Sequence, residues 1–133
     1  MMRVLFLCTG NSCRSQMAEA IVNVRLSEEW QAFSAGTKPT GFVHPKAVEA
    51  LKEIGIAHEG RSKLVDEFRG QNFDLVVTVC DSAAEECPLW LGKGKKIHRG
   101  FPDPAKTDSL DDFRLVRDDI ESEIIPLLRS FSS

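Results

Sequence analysis

Between Val4 and Ser15 the chain changes character once, and that change constrains the fold more than any other feature. Val4-Leu5-Phe6-Leu7-Cys8 is a short apolar run of the kind that forms a buried strand. It breaks into Thr9-Gly10-Asn11-Ser12-Cys13-Arg14-Ser15 and resumes as the helix-like Gln16-Met17-Ala18-Glu19-Ala20-Ile21. A strand, a polar loop and a helix start concentrate backbone N–H groups at one junction, where the helix dipole adds partial positive charge. Such a concavity suits a tetrahedral oxyanion. Cys8 opens the loop and Arg14 closes it, which sets a sulfur at the floor and a planar, permanently charged fork at the rim. The same field favours thiolate over thiol. The alternative for Cys8 is a buried strand-end residue, since free cysteine is often core material. Gly10, Asn11, Ser12, Arg14 and Ser15 are poor core residues, which favours the chemical reading. A nucleotide loop needs more glycines or a Gly-Lys-Ser/Thr ending, and neither is present.

The rest of the chain alternates between the two periodicities. Ser15 to Ser27 carries Met17, Ala20, Ile21 and Val24 at helical spacing, with Ser15 as the expected N-cap. Trp30 to Ala35 reads as a second strand, followed by a loop marked by Gly36, Pro39 and Gly41. His44-Pro45 opens a helix expected to run through Ile54 and stop at Gly55. Phe73 to Val79 is a β-branched run, Lys95 to His98 a short fourth strand, and Leu110 to Phe131 a final helix that Pro126 is expected to kink or end early. This order predicts an α/β fold: a single three-layer domain over residues 1–133, with a four-stranded, mainly parallel sheet and helices on both faces. Ligands then bind beyond the carboxyl ends of the strands, the rim shared by Cys8 and Cys80.

Composition excludes several classes of function. A formal net charge of -3 gives no electrostatic reason to expect nucleic acid as a partner. No apolar stretch approaches membrane-spanning length, and Met1-Met2-Arg3 is not followed by a secretory signal pattern. The expectation is a cytoplasmic monomer in which four cysteines serve catalysis, redox chemistry or metal binding rather than permanent disulfides.

Two further stretches carry chemistry. In Val79-Cys80-Asp81-Ser82-Ala83-Ala84-Glu85-Glu86-Cys87-Pro88, a helical spacing of seven steps at ~1.5 Å would hold the two cysteines about 10 Å apart, too far for a disulfide without unwinding. Nothing bulky and apolar lies between them, so unwinding loses little packing. Burial of Cys80 at the end of a strand, or zinc binding with His98, are the other readings of these residues. In Gly100-Phe101-Pro102-Asp103-Pro104-Ala105, an aspartate between two prolines has restricted backbone freedom, which suits either a fixed proton donor or an ordinary turn.

Cys8-(x)5-Arg14-Ser15 directly after a first strand resembles the phosphate-binding loop of the low-molecular-weight protein tyrosine phosphatase fold. The longer string from Cys8 to Glu19 is more similar to the arsenate reductases of that fold, particularly those recycled by thioredoxin, and the later landmarks follow in the family's order. The resemblance implies arsenate reduction in arsenic detoxification, with Cys8 as nucleophile, Cys80 and Cys87 as a redox pair, and Asp103 as general acid. It implies oxyanion binding by Thr9, Gly10, Asn11, Ser12, Cys13, Arg14 and Ser15, with Ser15 supporting the Cys8 thiolate and Asn11 holding the loop's shape. Cys13 itself reads as structural or incidental. Thioredoxin is the implied electron donor, and no metal, nucleotide or other cofactor is implied. Ordinary phosphatases of the fold lack the cysteine pair, and Ala105 stands where they often carry an aromatic residue, in a chain with no tyrosine. Some relatives bind potassium through residues matching Asn11, Glu19 and Ser34 with a further carboxylate. Lys63 falls at that last position, so an ammonium group is expected in place of the cation.

Overall fold

The computed structural model describes residues 1–81, 90 and 92–132. Strand β1 (Met2–Cys8) lies inside the sheet, paired in parallel with β2 (Trp30–Gly36) on one side and β3 (Leu75–Thr78) on the other. Strand β4 (Lys95–His98) adds in parallel beyond β3, giving the order β2-β1-β3-β4. Flanked on both edges, β1 is an unbroken apolar run, with Val4, Leu5, Phe6 and Leu7 fully buried. Strand β4 is an edge and carries exposed Lys95 and Lys96, which discourage pairing with another chain.

Helices α1 (Arg14–Arg25), α2 (Pro45–Glu53) and α3 (Leu110–Ser132) join one core cluster with Val4, Phe6, Cys8, Leu75, Val77, Val79 and Cys80. The opposite face, carrying Leu5, Leu7 and Val76, is covered among the described residues by a 3-10 turn over Val65–Phe68 and by Phe73 and Trp90. Phe33, Phe68, Phe73 and Trp90 meet there edge-on, with ring centroids 5.8–5.9 Å apart. The α/β class, the four parallel strands and the loop after β1 are as the sequence predicts.

Several boundaries differ by a residue or two. Helix α1 begins at Arg14, two residues before the start that a Ser15 cap implies, and its cap position is Cys13 with no side-chain cap hydrogen bond. Ser15 does not cap the helix because its hydroxyl is engaged by Asn11 and Cys8. Strand β2 continues to Gly36, and β3 is shorter than Phe73–Val79 because Phe73 turns into the aromatic cluster. Helix α2 follows expectation closely. The His44 Nδ1 accepts the Lys46 N–H at 3.1 Å, Pro45 occupies the first turn, and the chain leaves the helix through Gly55 at φ +83°.

Pro126 does not end α3, which continues to Ser132. Ile124, Ile125 and Leu128 are buried on either side of it, while Pro126 itself is exposed, so the carbonyl it deprives of a partner faces water. Core anchoring outweighs the lost hydrogen bond. Replacing Pro126 with alanine restores an i to i−4 bond and is expected to raise unfolding free energy by roughly 1–2 kcal/mol. Urea denaturation of the two proteins checks this. An unchanged or lower midpoint would mean that the ring packs productively.

Candidate active site at the carboxyl edge of the sheet

Cys8 is the last residue of β1, 2% exposed, and its Sγ lies 2.8 Å from the Ser15 Oγ. The loop that follows is held from outside. The Lys38 N–H donates to the Thr9 carbonyl at 2.9 Å, Thr40 N–H to Gly10 at 3.1 Å, and His44 N–H to Ser12 at 3.0 Å. The Ser62 hydroxyl adds a second bond to the Gly10 carbonyl at 3.1 Å. The carbonyl and N–H of one trans peptide point in opposite directions, so the amides of Gly10, Asn11 and Cys13 turn away from that segment. A cradle of donors above the sulfur results.

Asn11 makes the turn possible. Its φ is +46°, in the left-handed region that asparagine tolerates better than most residues, and its side chain is fully buried. The Asn11 Oδ1 accepts from the Gln16 Nε2 at 3.0 Å and the Lys63 N–H at 2.8 Å, while its Nδ2 donates to the Ser15 Oγ at 2.8 Å. Gly36 closes the back of the loop. A Cβ there would fall 2.8 Å from the Cys8 carbonyl and collide with that of Thr9, so the end of β2 must be glycine.

Arg14 is 4% exposed and its Nη1 donates to the Phe101 carbonyl at 3.2 Å. Its Nη2 stands 4.0 Å from the Asp103 Oδ2, while the other oxygen of Asp103 accepts the Ala105 N–H at 3.0 Å. Asp103 thus caps a short 3-10 turn, Pro104–Lys106, with one carboxylate oxygen left toward Arg14. Both line a cavity of about 370 Å³ together with Cys8, Thr9, Gly10, Ser12 and Cys13.

The sequence missed the wall of this cavity. Lys38, Thr40, Phe42 and His44 line it from the segment after β2, and Phe42 is 53% exposed at the mouth. The aromatic surface lacking at Ala105 is supplied from the other side. Proline, glycine and threonine spacing marked that segment as a loop, with no signal that it lay over the cradle.

Cys13 also faces the cavity as a free thiol, but burial pushes its pKa up to about 12, with the Asp103 carboxylate and Cys8 acting in the same direction. It stays a neutral thiol at physiological pH, which separates it chemically from the oxyanion chemistry around it. Cys80 is fully buried and lies two residues beyond β3, whose Thr78 is paired with Leu7. Cys8 and Cys80 therefore leave adjacent parallel strands at one edge and share one core cluster. Cys80 is disulfide-bonded, whereas Cys8 and Cys13 are free. Cys87, and the segment expected to unwind, lie outside the described residues. Among the described residues, no group of three or more His, Cys, Asp or Glu side chains gathers to hold a metal.

Residues 3–133 match the family described as low molecular weight phosphotyrosine protein phosphatase. The chain belongs to this family. Within the family its relatives include an arsenate reductase of Halalkalibacterium halodurans, 47% identical over 127 residues that cover 91% of each chain. Among solved structures, an arsenate reductase from Archaeoglobus fulgidus superposes with a TM-score of 0.82 at 32% identity, covering 93% of this chain and 97% of that one. A thioredoxin-dependent arsenate reductase of Corynebacterium glutamicum superposes at 0.72 with 25% identity, covering 98% of this chain and 61% of the other. The resemblance carried by Cys8 to Glu19 is thus borne out for this member of the phosphatase family.

Beside the loop, the Lys63 Nζ lies 3.8 Å from the Glu19 Oε1, which also accepts the Ser34 hydroxyl at 3.0 Å. Burial raises the Glu19 pKa, and the Lys63 ammonium and Ser34 hydroxyl partly offset it; burial lowers the Lys63 pKa against the pull of Glu19. Removing the ammonium in Lys63→Met raises the Glu19 pKa further. The variant is expected to be less stable by roughly 2 kcal/mol at pH 7. A group whose folded pKa is raised loses stability as pH rises above its unfolded value, so the deficit grows upward from about pH 4 and vanishes below it. Denaturation at pH 4, 5.5 and 7 measures it. A deficit equal at every pH would assign the effect to lost packing of the lysine stem.

Proposed function

We propose that this chain reduces arsenate to arsenite by a three-cysteine relay recycled by thioredoxin. What carries the reading is the placement of Cys8 at the floor of an anion cradle with Cys80 leaving the next strand at the same edge. The names of its arsenate-reducing relatives, one of them thioredoxin-dependent, support it.

The Cys8 thiolate attacks arsenic while loop amides and the Arg14 fork hold the arsenate oxygens. Asp103 protonates the departing hydroxide, which leaves as water. Cys80, as a thiolate, then attacks the Cys8 sulfur. The sulfur–arsenic bond breaks with its electron pair going to arsenic, which falls from the +5 to the +3 state and departs as arsenite. A Cys8–Cys80 disulfide remains. Cys87 attacks Cys80, expelling the Cys8 thiolate, and the resulting Cys80–Cys87 disulfide is reduced by the dithiol of thioredoxin. Free Cys8 beside a disulfide-bonded Cys80 is the oxidation state that this last exchange leaves before reduction.

Phosphomonoester hydrolysis is the second reading, favoured by the Phe42 and His44 wall over the same nucleophile. There Cys8, Arg14 and Asp103 perform the first half-reaction and water completes it.

Anaerobic arsenate reduction with thioredoxin, thioredoxin reductase and NADPH separates these readings. Cys8→Ser is expected to abolish arsenite production. Cys80→Ser and Cys87→Ser are expected to stop repeated turnover, lowering the steady-state rate by at least about 1,000-fold. Equal rates with glutaredoxin and glutathione would replace the proposed donor, and turnover that ignores both Cys80 and Cys87 would leave the phosphatase reading. Added potassium is expected to change neither rate nor melting temperature, because the Lys63 ammonium stands at the Glu19 carboxylate. Stabilisation by potassium over sodium would overturn that role of Lys63.

A further inference from the structure

His58 is not among the residues that line the cavity; it lies in the segment between α2 and the Val65–Phe68 turn, and its side chain is 8% exposed. Its Nε2 is 2.8 Å from the Gln16 Oε1. Gln16 is fully buried, and its Nε2 lies 3.0 Å from the Asn11 Oδ1, 3.2 Å from the Asn11 carbonyl and 2.9 Å from the Arg61 carbonyl.

Two backbone groups with fixed roles set the direction of these bonds. The Arg61 carbonyl can only accept, so the amide nitrogen of Gln16 faces it and the amide oxygen faces His58. The ring must then carry its proton on Nε2 and donate. The Lys63 N–H can only donate, so the Asn11 oxygen faces it and the Asn11 nitrogen faces Ser15. A Cys8 thiolate can only accept, so the Ser15 hydroxyl, which accepts from Asn11, gives its own hydrogen to the Cys8 sulfur. Each link thus donates in the same sense, and bonds aligned in this way polarise one another.

We infer that His58 is a positioning residue for Cys8, the first donor of a one-way chain that runs through the Gln16 and Asn11 amides and the Ser15 hydroxyl to the nucleophilic sulfur. The inference rests on the reading of Cys8 as nucleophile. The fit around the ring supports it: a Cβ at Gly60 would collide with both His58 and the Gln16 oxygen, so the backbone there is shaped to let these two side chains meet. The charged groups facing the ring are Glu19, whose Oε2 is 4.0 Å from Nε2, and Lys63. Burial and the Lys63 ammonium lower the His58 pKa, which keeps the ring neutral, with its single proton where Gln16 requires it.

The test is the rate of iodoacetamide alkylation at Cys8 in the reduced full chain, followed by peptide mass from pH 4 to 9. His58→Phe removes the donor, and Gln16→Met keeps the side-chain length without adding charge but can neither accept from His58 nor donate to Asn11. Both are expected to move the pH midpoint of alkylation upward and to slow alkylation at pH 6 by about fivefold. His58→Gln, which restores a neutral N–H, is expected to return the rate to within about twofold of the parent. An unmoved midpoint in a folded His58→Phe, or no rescue by His58→Gln, overturns the inference. If His58→Phe does not fold, the midpoint of Gln16→Met decides alone. Should Cys8→Ser leave the fast-alkylating thiol in place, the reading of Cys8 fails. If Cys8 is that thiol and the variants match the parent, only the role of His58 fails.

Discussion

The site depends on one buried side chain that a loop of this shape cannot do without. Asn11 takes the left-handed conformation that reverses the chain above Cys8, and its amide reaches Gln16, Lys63 and Ser15 at once. An unsatisfied buried amide costs about 1–3 kcal/mol, so the three segments are bound to the loop as firmly as the loop is bound to them. The cradle is therefore a property of the junction of β1, α1 and the segment before the Val65–Phe68 turn. Its preorganisation means that an entering oxyanion meets donors already aimed.

The parallel sheet does the remaining positioning. Parallel pairing of β1 with β3 fixes Thr78 opposite Leu7, so the residues that follow both strands emerge side by side. Two cysteines 72 positions apart in the chain thereby reach one edge through register alone. The acidic loop is positioned in a similar way. The Phe101 N–H donates to the Val79 carbonyl and its own carbonyl receives Arg14, which brings Asp103 over the cradle.

Much of this was readable before any coordinates. The apolar run into Cys8, the β-branched run before Cys80 and the polar loop between Thr9 and Ser15 determine strand, strand and cradle by composition and periodicity. Ser15 misled because a serine before a helical stripe has the composition of a cap, whereas tertiary hydrogen bonds to Asn11 and Cys8 claim its hydroxyl. Pro126 misled because its local cost is outweighed by Ile124, Ile125 and Leu128 buried in the core. Phe42, Gln16 and His58 were illegible as site residues for a different reason. Their roles arise from contacts across distant segments, and nothing in the spacing of a single chain announces which side chains will face one another.

Gly36 carries a consequence for the portability of the cradle. Its missing side chain is the space into which the carbonyls of Cys8 and Thr9 fit, so the loop's outline is drawn partly by a neighbouring strand. Transplanting the loop sequence alone into another strand-to-helix junction would carry the cysteine and the arginine but leave behind the mould. A working graft has to import the bare backbone of the adjacent strand as well.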